Sequence, residues 1–312
     1  MSPNLRNSGP LASGRSSTRE KDDVFNEDFL RKLEYLKFVS NHLIPGHLKG
    51  QHRAKKRGSG LDFADYRPYV AGDDTRNVDW RTYLRLDKLL LRLFEEEADL
   101  PIYIFFDSSR SMDYGDPSKF DYARKVAAAL CYIGLLNLDR VSLIAFADGV
   151  SEEMASRRGK NQIHQALRFL LGVEPNGPTG MQKAFKSFFA AKRRRGLVAV
   201  ISDFLDREGV DGAFNVLRYL RHDVFNIHIT TLEETRPELP DDVVLVDSED
   251  GTDQPVRVTR GLLTAYQETF RRHCLAIESY CSKYNWGYIR TLNERPFEDL
   301  ILQVFRQDRF LR

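Results

Sequence analysis

The chain has 312 residues, 42% of them apolar, which suits one large globular domain or two smaller ones and excludes neither. Its 47 basic and 45 acidic residues leave a net charge of +2, so no global electrostatic pull toward nucleic acid or an anionic membrane is expected. Three cysteines, Cys131, Cys274 and Cys281, fall in apolar or helical patterns without metal-ligand spacing, which points to reduced thiols in a cytoplasmic protein rather than a disulfide framework.

Residues 1–24 are rich in Ser, Gly, Asn, Arg and Pro without periodicity and are expected to form a disordered tail. No secretory leader is visible, and the longest apolar run, Ala127 to Leu136, is about half of what a bilayer span requires. Phe29, Leu33, Leu36, Val39 and Leu43 recur at helical spacing and predict a helix from Glu27 to about His42, ended by Pro45-Gly46. The basic run Lys49 to Arg57 lacks a phosphate-loop ending and is expected to be a solvated loop. Phe63 to Asp99 interleaves Arg with carboxylates and aromatics, as a loop-rich module pinned by charge-assisted pairs would. Within it, Trp80 is expected to anchor a small satellite core, and Leu86 to Leu93 to form an apolar strand or short helix. Residues 25–98 are therefore taken as an amino-terminal helix plus this module, and 99–312 as the main domain.

From Asp99 strands and helices alternate. Strands are predicted at Ile102–Phe106, Arg140–Ala147, Leu197–Ser202, Val224–Leu232, Val243–Asp247 and Gly287–Thr291. Helices are predicted at Lys119–Leu138, Lys160–Leu171, Met181–Lys192, Gly209–Arg221, Thr264–Lys283 and Pro296–Phe305. Such alternation predicts an α/β fold, a doubly wound and mostly parallel sheet with helices on both faces.

The run Ile102 to Phe106 ends in Asp107, followed by Ser109 and Ser111 at two-residue intervals. Loops at the carboxyl ends of parallel strands are where open α/β sheets place ligands. One carboxylate and two hydroxyls are hard oxygen donors suited to Mg²⁺ or a similar cation, but the same residues also suit a turn that caps the next helix. Thr179, in a Pro-Thr-Gly loop, and Asp203, at the end of Leu197–Ser202, would come to the same rim, although they too could serve as a cap and an ordinary strand-end carboxylate.

In order and type these five residues resemble the metal-ion-dependent adhesion site of von Willebrand factor A-like domains, Asp-x-Ser-x-Ser followed by a Thr and then an Asp in later loops. The resemblance implies a Rossmann-like fold with Asp107, Ser109, Ser111, Thr179 and Asp203 holding Mg²⁺, Mn²⁺ or Ca²⁺. The string Arg67-Pro68-Tyr69-Val70-Ala71-Gly72-Asp73-Asp74-Thr75-Arg76-Asn77-Val78-Asp79-Trp80-Arg81, leading to Leu89 and Arg92, is similar to domain of unknown function family 58 (DUF58). Members of that family often accompany MoxR-type AAA+ ATPases, so the resemblance implies an adaptor or chaperone partner of such an ATPase. Neutral hydroxyls and few direct carboxylates would leave such an ion underneutralised with an open position for a partner's Asp or Glu, so a non-enzymatic, metal-dependent protein-binding module is expected. The rivals are a metal-dependent phosphohydrolase and nucleic-acid binding through Lys49–Arg57 and Lys192–Arg195. Against the first, Ser109 stands where aspartyl-nucleophile hydrolases generally carry a second acid; against the second, no recognisable module is present.

Overall fold

A computed structural model describes residues 24–43, 57–58, 62–70, 73–95, 101–247 and 252–306. The expectations for residues 1–23, for Lys49–Lys56, for Gly72 and for Glu96–Glu97 lie outside the described residues. The chain divides into two compact units, one of residues 44–100 with 311–312, the other of residues 1–43 with 101–310.

The smaller unit holds a three-stranded antiparallel sheet of β1 (Arg57–Gly58), β2 (Asp62–Pro68) and β3 (Leu90–Glu95), in the order β1-β3-β2. A short helix, Trp80–Leu86, precedes β3, so the apolar run expected at Leu86 to Leu93 divides between a helix end and a strand start. Asp79 organises this unit. It caps the helix by accepting from the Arg81 and Thr82 amides, at 3.0 and 3.2 Å, and also accepts from Tyr66 Oη at 2.7 Å and Arg92 Nε at 3.1 Å. The Tyr66 hydroxyl, with Arg92 beside it, holds its carboxyl well below the ordinary carboxylate range. Arg67 forks onto Asp73 at 2.7 and 2.6 Å. The expectation of charge-assisted pinning holds here; the expectation for Trp80 does not. Trp80 is 56% exposed, at the first position of the helix, and meets Tyr83 edge-on. The Asp79 carboxylate, accepting from the amides of this turn, fixes its backbone without needing the indole inside. Asp79→Ala is expected to speed amide exchange of residues 80–86 roughly tenfold, since it removes the cap and both side-chain partners; unchanged exchange by mass spectrometry would contradict this role.

In the larger unit the first helix is Glu27–Leu43. Phe29, Leu33 and Leu36 are buried as the spacing predicts; the side chains of Val39 and Leu43 lie outside the described residues. This helix was grouped with the loop-rich module in sequence, but it clusters with the main unit: Phe29 packs on Phe297 at 5.0 Å between ring centroids and Lys32 pairs with Glu298 at 3.1 Å. Its apolar stripe finds cover on the final helix, Phe297–Arg306.

The main sheet comprises β4 (Pro101–Asp107), β5 (Arg140–Ala147), β6 (Gly149–Arg157), β7 (Leu197–Ser202), β8 (Asp223–Thr230) and, after a separate two-stranded hairpin of β9 (Asp242–Val246) with β10 (Asp253–Arg257), β11 (Gly287–Leu292). The order is β11-β8-β7-β4-β5-β6, parallel except for the edge strand β6. In this unit two strands, β6 and β10, go beyond the sequence expectation, as β1 and β2 do in the smaller one. Both are edge or hairpin strands, with the exposed and polar stretches Ser151–Glu153 and Asp253–Pro255, and so lack the apolar run that marked the central strands. Correspondingly, Val243–Asp247 belongs to the small hairpin and not to the main sheet.

Strand β4 is buried along its whole length. Its alternate residues serve opposite faces, as the pleat requires. Phe105 meets Phe185 and Phe188 of the helix Met181–Ala190 at 4.9 and 5.0 Å, whereas Phe106 lies 6.4 Å from Phe120 of the helix Lys119–Leu136. That helix lies close because its sheet-facing residues are small: a Cβ on Gly134 would stand 2.7 Å from Val141 Cγ2. The chain leaves β4 toward β5 on one side and later returns to β7 on the other. This reversal opens a crevice at the carboxyl ends of β4 and β7. The architecture is a doubly wound, mostly parallel, Rossmann-like α/β module.

Candidate functional site

Asp107 closes β4 and is completely buried. Its Oδ1 accepts from the Ser109 amide at 2.9 Å, and its Oδ2 accepts from the Ser202 hydroxyl, at the end of β7, at 2.6 Å. Ser109 Oγ and Ser111 Oγ lie 3.0 Å apart, both buried. Ser111 also donates to Asp203, the residue after β7, joining four of the five predicted donors in one hydrogen-bonded cluster. Thr179 is buried on the loop that runs between the other two. Two backbone bonds tie this loop to the first, the Asn176 amide donating to Ser108 O at 2.7 Å and the Arg110 amide to Gly177 O at 3.0 Å, and at its end the Met181 amide donates to the Asp206 side chain at 2.9 Å.

The capping alternatives can now be weighed. Ser118, not the Asp107 loop, caps the helix Lys119–Leu136, its side chain accepting from the Asp121 amide at 3.1 Å. The helix Met181–Ala190 has Gly180 as its N-cap and no side-chain cap bond, so Thr179 does not serve that purpose. Immediately after Asp203, Phe204 adopts φ +55°, a left-handed conformation uncommon for a bulky side chain. It is held by its amide on Ser202 Oγ at 2.9 Å and by the Leu205 amide on Asp203 Oδ1 at 3.1 Å. Backbone strain of this kind collects where a side chain must be aimed.

Three participants went unnoticed in the sequence. Ser202 sits one position before an expected donor and read as strand. Lys119, the first residue of its helix, is wholly buried, with Nζ 2.7 Å from Asp203 Oδ2 and 2.5 Å from Glu234 Oε1. Glu234 Oε2 accepts from the Thr231 amide at 2.9 Å, and its own amide donates to Thr231 Oγ1 at 3.1 Å. The Thr231-x-x-Glu234 capping box was legible in principle. So was the oddity of a lysine in a helix's first turn, where the macrodipole disfavours a cation.

The charges set the chemistry. Burial opposes the Lys119 ammonium, but Asp203 and Glu234 outweigh it and raise its pKa. Burial likewise opposes the Asp203 carboxylate, and Lys119 outweighs it, keeping Asp203 ionised. Among the described residues no ion pair places a cation on Asp107. Burial, then repulsion from Asp203, push its carboxyl up to about 7. Among the described residues three carboxyl groups and one ammonium meet here, so the site is short of positive charge once Asp107 is ionised. A divalent cation suits that deficit, and hydroxyls from Ser109, Ser111 and Thr179 are neutral oxygen donors of the type Mg²⁺ accepts. Asp203, with Oδ1 on an amide and Oδ2 on Lys119, is suited to act through a bridging water. Among the described residues there is no group of three or more His, Cys, Asp and Glu side chains placed to hold a metal, so any ion here would depend on those neutral donors. Nearby, His228 is fully buried with Nδ1 2.9 Å from Tyr288 Oη, and burial lowers its pKa to about 3.

The Lys192–Arg195 patch weighed for nucleic acid is partly paired on the protein itself. Arg193 bridges to Glu153 at 2.8 Å, and Arg195 to Asp223 at 3.1 Å. Among the described residues no helix is long and apolar enough to cross a membrane.

The family model described as "Protein of unknown function DUF58" matches residues 65–275. An uncharacterized protein of Mycobacterium bovis is 29% identical over 244 residues, which cover 74% of this chain and 74% of that protein. Among solved structures, BatB from Bacteroides thetaiotaomicron matches at 16% identity with a TM-score of 0.41, covering 67% of this chain and 98% of that one. An aerotolerance-related membrane protein from Bacteroides fragilis matches at 18% identity with a TM-score of 0.42, covering 67% and 99%.

Proposed function

We propose, from the premise that this chain belongs to the DUF58 family, that it is a non-enzymatic protein-binding module whose partner contact is completed by a divalent cation. One observation carries this reading: three loops distant in sequence are bonded to one another, and Asp107, Ser109, Ser111 and Asp203 form one hydrogen-bonded cluster at their meeting point. Thr179 completes the oxygen set. A bound Mg²⁺, or Mn²⁺ or Ca²⁺ in its place, supplies a positive centre for an Asp or Glu carboxylate of the partner.

The chain's own part is to hold the donors still. The Ser109 amide and the Ser202 hydroxyl orient Asp107; Lys119 and the Leu205 amide orient Asp203. Because these groups are buried, a carboxylate arriving from outside acts across a low local dielectric, where its charge counts for more than in water. The partner we propose is a MoxR-type AAA+ ATPase in the cytoplasm, with this chain as its adaptor or chaperone.

A pull-down of the ATPase on immobilised protein tests the reading. Capture is expected in Mg²⁺, to be lost in EDTA and with Asp107→Ala, and to be lost again with one acidic-to-Ala substitution on the ATPase. Metal-dependent capture that survives every such substitution would sink the carboxylate contact. Phosphatase turnover that depends on Mg²⁺ or Mn²⁺ and vanishes in Asp107→Ala would make the protein an enzyme instead.

A further inference from the structure

The rim carrying the Asp107 cluster continues into a groove of about 960 Å³ over the carboxyl ends of β8 and β11, bounded by the helix Arg260–Lys283. Four guanidiniums line it, those of Arg236, Arg271, Arg290 and Arg295, and all four residues are exposed. Glu294 is the acid in the lining. Glu268, on the same helix as Arg271, holds that arginine at 2.9 Å, and Arg295 reaches Gln303 at 3.1 Å. Counting both glutamates against the four arginines still leaves two positive charges in excess, in a protein whose whole net charge is +2. The groove is therefore a local concentration of positive charge on an otherwise balanced molecule.

Its position matters as much as its sign. The turn Thr231–Arg236 divides the two features: Glu234 points its carboxylate to Lys119, and Arg236 lines the groove. Neighbouring strands lie about 4.8 Å apart. β8 adjoins β7 and β11 adjoins β8, so the groove begins about 5 Å and extends about 10 Å from the strand that carries Asp203. An extended chain advances about 3.3 Å per residue and crosses that distance in roughly three residues. The lining also includes apolar side chains, Leu232, Phe270 and Leu292, between the arginines. Guanidinium forks match carboxylates two bonds at a time, and the apolar stretches match aliphatic side chains between them.

We propose that this groove receives an acidic, extended segment of a partner protein, with carboxylates spaced by apolar residues and lying next to the residue that enters the Asp107 site. The proposal rests on reading the rim as a protein-binding surface, but the groove's affinity for acidic peptide needs no metal.

Fluorescence anisotropy with a labelled octapeptide of alternating Glu and Leu, against its Gln-for-Glu counterpart, tests this in EDTA and in Mg²⁺. In EDTA the Glu peptide is expected to bind roughly tenfold or more tightly than the Gln peptide, with affinity falling as salt rises. Arg236→Glu combined with Arg290→Glu is expected to abolish that difference; both residues are exposed, and circular dichroism checks that the variant is folded. The groove is read from binding in EDTA and the metal contact from the further gain on adding Mg²⁺, so failure of the metal reading and failure of the groove show up in different arms. Equal binding of the two peptides, or affinity untouched by the arginine substitutions in a folded variant, overturns the proposal. Tighter binding of a single-stranded oligonucleotide of equal charge also overturns it and makes the groove a nucleic-acid site.

Discussion

Lys119→Met is expected to cost about 3–5 kcal/mol of folding stability at pH 7, the range found when one member of a buried ion pair is removed and its partner is left uncompensated. Here two partners are left. Asp203 and Glu234 both have their carboxylates on the ammonium, and both are essentially inaccessible to water. The Leu205 amide and Ser111 on Asp203, and the Thr231 amide on Glu234, are neutral donors and carry no charge to offset two buried carboxylates at close quarters. Adding Glu234→Gln to Lys119→Met is expected to recover part of the loss, because Gln keeps the capping box and removes one charge. The sign with pH is also set. In the wild type Lys119 has a raised pKa, so its stabilisation is complete below its unfolded value near 10.5 and is lost only as pH rises beyond that. In Lys119→Met burial is left to favour the protonated form of Asp203, and stability should fall as pH rises above its unfolded value near 3.8. Urea denaturation across pH measures both effects. A cost below about 1 kcal/mol at pH 7 would show that the cluster does not act as a unit.

Asp107→Asn is expected to move stability in the opposite direction. In chelator, wild-type Asp107 takes up a proton on folding at any pH between its unfolded value near 3.8 and its folded value of about 7. The folded state then binds more protons than the unfolded one, so wild-type stability should fall as pH rises through that window and level off above it. A rise of about three pKa units corresponds to about 4 kcal/mol between protonation states, an upper figure since water entry and relaxation reduce it. Asn carries no charge to bury and keeps an acceptor for the Ser109 amide. The variant should therefore be more stable than wild type at pH 8 in EDTA and nearly equal to it at pH 4. Mg²⁺ should reverse the order, stabilising the wild type and leaving Asp107→Asn unchanged. Equal stabilisation of the two by Mg²⁺ would remove Asp107 from the metal site, and a flat pH profile for the wild type in EDTA would remove the charge deficit itself.

Much of the fold could be read from local pattern. Arg140–Ala147 and Leu197–Ser202 were located to the residue, because central parallel strands are buried on both faces and appear as predominantly apolar runs. Helices such as Glu27–Leu43 and Lys119–Leu136 were located to within about two residues, from periodicity and from caps. The same reliance on apolar runs hid β6 and β10, and it misplaced Trp80, whose burial depends on what surrounds it rather than on its own hydrophobicity.

For the site, the order of residues alone determined which donor types were available: Asp107, Ser109 and Ser111 lie on one loop, and such spacing is a local property. Tertiary structure alone decided the charge balance. Lys119, Ser202 and Glu234 sit on different elements; Ser202 reaches Asp107, and Lys119 reaches both Asp203 and Glu234, because strands are added on one side of β4 up to β6 and on the other from β7. Coulomb energy depends on distance and burial, and neither is written in the spacing of residues along a chain.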